Sequence, residues 1–82
     1  MARVKTTGTA RWTSATVQTL LGEIAELGAR LERERQALQT KPPGSEGYVE
    51  HWAQTAVLLE WLQMKIQDLL REMEALEQTW PD

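Results

Sequence analysis

Lys41-Pro42-Pro43-Gly44-Ser45-Glu46-Gly47 is the stretch that decides how this 82-residue chain folds. Pro42 has no N–H to donate, and its ring disfavours helical geometry at Lys41. Pro43 restricts Pro42 in the same way. Gly44 and Gly47 add turn freedom. On both sides the sequence is helical in character. Leu, Glu, Gln, Ala and Arg dominate from residue 17 onward, and these are strong helix formers. β-Branched residues are sparse there, which disfavours a sheet. A loop this short between two long helices makes them antiparallel neighbours. The predicted fold class is therefore all-α: an antiparallel two-helix hairpin with a Pro/Gly loop at 40–47.

Upstream of the loop, the spacing predicts a helix from about residue 15 to about residue 39, with Thr13 or Ser14 as its cap. Its apolar positions are Val17, Leu20, Ile24, Leu27, Leu31 and Leu38, with Leu21 flanking. They step by three and four, and Glu34 takes the one vacant heptad position. Gly22, Ala25 and Ala29 form a strip of small residues outside this seam, with Gly28 nearby. A helical glycine costs about 1 kcal/mol against alanine, so a close approach of another helix is one reason for the strip. Tolerated surface glycines are the other.

Downstream, the spacing predicts a helix over about residues 48–79, capped by Ser45 and ended by Pro81. Its expected seam is Tyr48, Trp52, Thr55, Leu59, Leu62, Ile66, Leu69, Met73, Leu76 and Trp80. Val57, Trp61 and Met64 lie away from that seam at i, i+4, i+7, and Leu58 flanks it. A helix that is apolar nearly all round is buried on more than one side. One partner helix cannot cover both surfaces, so the reading extends to a dimeric four-helix bundle. In it, Trp52, Leu59, Leu62, Ile66, Leu69, Met73 and Leu76 join Val17, Leu20, Ile24, Leu27, Leu31 and Leu38 in the hairpin core. Val57, Leu58, Trp61 and Met64 face the second subunit or another protein.

The first twelve residues lack helical periodicity and read as a mobile basic arm ahead of the hairpin at 13–82. Residues 1–22 carry Arg3, Lys5 and Arg11 and no acid, whereas residues 23–82 carry six Lys/Arg and twelve Asp/Glu. A basic leader thus precedes an acidic body. Arg3, Lys5 and Arg11 are candidate phosphate contacts, although three cations make a small footprint and no base-reading motif accompanies them. Trp12 and Trp80 fall at the same end of the hairpin and are candidates to close it.

Other classes of function find little support. The chain has no cysteine, which excludes disulfides, thiolate zinc sites and thiol catalysis, and which fits a reducing cytoplasm. Residues 1–14 hold no apolar run, so no signal peptide is expected. The most apolar stretch, 56–64, is too short to span a bilayer and contains Glu60. His51 is the one histidine, and no Glu-x-x-His pair of the kind that builds metal sites in bundles is present. No cofactor, metal site or enzyme activity is expected. In architecture the hairpin resembles the dimeric plasmid RNA-binding four-helix bundles, a likeness that implies a fold and no activity. The expectation is a small non-enzymatic interaction module, an adaptor, assembly factor or regulator that self-associates. Two alternatives stand beside it: a nucleic-acid-associated regulator with paired basic arms, and a non-catalytic subunit of a larger enzyme complex.

Overall fold

A computed structural model describes residues 13–80. These residues form two helices and no strand. Helix α1 spans Ala15–Thr40 and helix α2 spans Glu46–Glu77. The two pack along each other as a hairpin. Arg3, Lys5, Arg11 and Trp12 lie outside the described residues, as does Pro81.

Both helix starts follow from a serine. Ser14 holds extended backbone angles while its Oγ accepts from the Val17 N–H at 3.1 Å. Ser45 does the same for the Tyr48 N–H at 3.3 Å. Each bond satisfies one of the backbone donors that a helix N-terminus leaves unpaired. Between the helices, Lys41 is extended, at φ −97° and ψ 143°, as a residue before proline prefers. The Ser45 N–H then donates to the Pro42 carbonyl at 3.1 Å. Inside that turn Gly44 has φ +83°, the left-handed region that a side chain resists. At the far end, α2 unwinds through tighter bonds, Thr79 N–H to Leu76 and Trp80 N–H to Glu77.

The core is thin. Val17, Leu20, Leu27, Leu58 and Leu69 are the buried hydrophobic residues, and no side chain among the described residues is less than 2 % exposed. Ile24 and Leu76 pack against the cluster of Val17, Leu20 and Leu69 near the open end. Leu31 and Leu38 of α1 and Leu62 of α2 are half-buried. The molecule measures 16 Å across its thinnest dimension, little more than the ~10–12 Å diameter of one helix with its side chains.

Helix α2 is rotated relative to the sequence reading. Trp52, Leu59, Ile66 and Met73, expected in the hairpin core, are 41–61 % exposed. Leu58, expected to face outward, is the most buried of the described residues at 3 %. The side of α2 turned to α1 is Tyr48, His51, Thr55, Leu58, Leu62, Lys65, Leu69 and Leu76, each buried or half-buried. The rotation is less than half of one residue's ~100° advance around the helix. Its physical result is polar pairing across the hairpin. His51 Nδ1 meets Glu34 Oε2 at 2.5 Å, and Lys65 Nζ donates to Glu23 Oε1 at 3.0 Å. In the expected orientation Trp52 and Ile66 would have displaced His51 and Lys65 from α1.

Candidate interaction surface

Rotating α2 leaves it with two exposed apolar flanks. The first carries Val57, Trp61 and Met64, 43–62 % exposed. Charged groups from α1 close in on it. The Arg30 guanidinium carbon lies 5.7 Å from the centre of a Trp61 ring, within the range of a cation–π contact. Glu23, Glu26, Leu27, Arg30, Trp61 and Lys65 line a shallow cleft there. Trp61 is therefore partly covered by its own chain, and its surroundings mix both signs of charge.

The second flank is longer and cleaner. Val49, Trp52, Leu59, Ile66, Leu70 and Met73 run along it, with Ala56 and Gln63 filling the two intervening positions. The steps from 49 to 73 are 3, 4, 3, 4, 3, 4, 3, a heptad seam with only one polar member. This seam lies beside the one packed on α1, shifted by one residue. At the loop end, Tyr48 stacks on Trp52 with ring centroids 6.1 Å apart and an interplanar angle of 22°. Together with Gly44 and Val49 they line a small apolar notch.

Helix α1 contributes to the same side. Arg30 and Glu23 mark its flank beside Trp61 and Lys65. By helical phase, Leu21, Ala25, Gly28, Glu32 and Arg35 then lie on the opposite flank, next to the long stripe. All five are exposed. An added Cβ at Gly28 would meet nothing within 4 Å, so the hairpin itself does not require glycine there. Glu32 and Arg35 pair with each other through two hydrogen bonds. The hydrogen bond from Arg35 holds the Glu32 carboxyl below its ordinary pKa, and the same contact raises Arg35.

Sequence reasoning missed the His51–Glu34 pair and the stripe from Val49 to Met73. The signal for the pair was present, since both residues fall at seam phase near the loop. The stripe was obscured because Trp52, Leu59, Ile66 and Met73 were assigned inward. Among the described residues no three His, Cys, Asp or Glu side chains stand close enough to hold a metal ion. No helix among them is long and apolar enough to cross a membrane. Comparison with family models, curated proteins and solved structures finds no match for this chain.

Proposed function

We propose that this chain is a non-enzymatic helical interaction module that self-associates, an adaptor, assembly factor or small regulator working in a reducing cytoplasm. One observation carries the reading: α2 bears large exposed apolar side chains on both flanks, Trp52, Leu59, Ile66 and Leu70 on one and Val57, Trp61 and Met64 on the other. Monomeric proteins rarely leave contiguous apolar patches of this extent open to water, and such patches mark interaction sites. The thin core supports the same reading. A single core this small contributes little net stability, and association is one of the usual remedies. The coiled-coil spacing of the exposed stripe suits a helical partner better than a flat or extended one.

Solution mass by light scattering across a dilution series tests the module reading. An oligomer supports it directly. A monomer that binds a defined helical partner, with Trp52 or Trp61 emission shifting on binding, keeps the interaction module and removes its self-association. A stably helical monomer that binds no partner sinks it.

A further inference from the structure

We propose that the loop half of the hairpin, residues 28–57, opens as a unit of its own, and that the His51–Glu34 pair is a pH-sensitive latch holding it shut. The inference concerns the single hairpin and stands whether or not the chain associates. Its first support is where burial lies. Val17, Leu20, Leu27, Leu58 and Leu69, the buried residues, all belong to the open half. Among residues 28–57 none is buried, and Leu31, Leu38, Tyr48 and Thr55 are only half-buried. A segment with few buried apolar contacts opens at a lower free energy than the rest of a fold, often as one cooperative piece.

The second support is what ties the two helices together there. His51 Nδ1 lies 2.5 Å from Glu34 Oε2, the one side-chain hydrogen bond among the described residues that joins α1 to α2 within this half. The two side chains are 32 % and 20 % exposed, so water screens the pair only in part. Facing an imidazolium, the carboxylate makes an ion pair as well as a hydrogen bond. Facing a neutral imidazole, it keeps an ordinary hydrogen bond from the Nδ1–H tautomer. The latch is therefore strongest where the imidazole carries its proton and the carboxylate does not. Raising the pH discharges His51 and weakens it, and acidifying into the carboxylate range discharges Glu34 and weakens it too. Four other ionisable groups stand nearby. Arg30, one turn before Glu34, is engaged with Trp61. Lys41 lays its side chain against Gly47, one turn before His51. Tyr48 is stacked on Trp52, and Glu50 adjoins His51 on α2. None of these residue types ordinarily changes charge between about pH 5.5 and 8, so the chain's one histidine is the variable. Opening carries with it the Tyr48–Trp52 stack and the notch that these rings line with Gly44 and Val49.

Amide exchange read by NMR tests both parts, at low protein concentration and corrected for the intrinsic rate at each pH. The amides of Leu31, Leu38 and Thr55 are expected to exchange faster than those of Ile24, Leu27, Leu58 and Leu69 by about tenfold or more. Equal protection in the two halves would overturn the separate unit. From about pH 5.5 to about pH 8 the corrected rate in the loop half is expected to rise by about twofold to fivefold, as the charge of a partly exposed pair allows. The open half should show no such rise. His51→Gln and Glu34→Gln should each abolish it, whereas Glu23→Gln, which breaks the pair with Lys65, should leave it in place. A rise that survives in His51→Gln, or a wild-type chain without one, would overturn the latch. The wild-type comparison needs no variant, so it decides the matter even where a substituted chain fails to fold.

Discussion

Leu58→Ala and Leu59→Ala are neighbouring substitutions that should behave differently. Leu58 is 3 % exposed and Leu59 is 50 % exposed. Leu→Ala removes three carbon groups, each contributing about 0.8 kcal/mol when fully buried. At Leu58 this amounts to about 2.4 kcal/mol. A cavity left between α1 and α2 adds to it, for a total of about 3 kcal/mol. Half-burial at Leu59 halves the transfer term and leaves no enclosed cavity, so the hairpin loses about 1 kcal/mol. Urea denaturation followed by circular dichroism, at two protein concentrations a hundredfold apart, separates the contributions. The Leu58→Ala loss is intrinsic to the hairpin and should be the same at both concentrations. The Leu59→Ala loss should grow where the protein associates, since mass action links association to apparent stability. If Leu59→Ala proves the more damaging at the lower concentration, α2 is turned the other way and the hairpin core described above is wrong.

Three further outcomes follow from local geometry. Gly44→Ala should destabilise by about 1–2 kcal/mol, because its φ of +83° is strained for any residue with a Cβ; an unchanged midpoint in thermal unfolding would contradict the turn. Ser14→Ala should cost about 1 kcal/mol and fray the first turn of α1, seen as faster amide exchange at Val17 with α2 unaffected. The Glu32 carboxyl is depressed by Arg35, so its contribution is present above the ordinary carboxylate pKa and is lost as the pH falls through the lowered value. A carbon-detected NMR titration should place Glu32 below the ordinary value in the wild type and return it there in Arg35→Gln.

The two helices and their antiparallel arrangement were legible from the proline pair and the flanking composition, because a proline inside a helix removes a backbone hydrogen bond and its ring clashes with the preceding turn. The α1 face was legible too. Its apolar residues form one narrow row, and Val17, Leu20 and Leu27 of that row are the buried ones. The face of α2 was not. Its sequence supports three overlapping 3–4 series, one through Leu58 and Lys65, one through Leu59 and Ile66 with Ala56 and Leu70, and a hybrid that alternates between them. Periodicity ranks all three alike. The choice between them rests on pairings across the hairpin, His51 with Glu34 and Lys65 with Glu23, which are visible only once residues 17 or more apart in sequence are set side by side. Trp52 was also read as core, yet it is 61 % exposed.

A body only 16 Å thick, in which no described side chain is less than 2 % exposed, is a single layer of two helices. Every residue is at most one side chain away from water. Deeper shelter requires a further surface, and under the self-association proposed above it exists in proportion to the fraction of molecules that are paired. Abundance then acts as a control. Near the dissociation constant a modest rise in copy number changes how much sheltered surface the cell holds, with no ligand and no modification needed to set it.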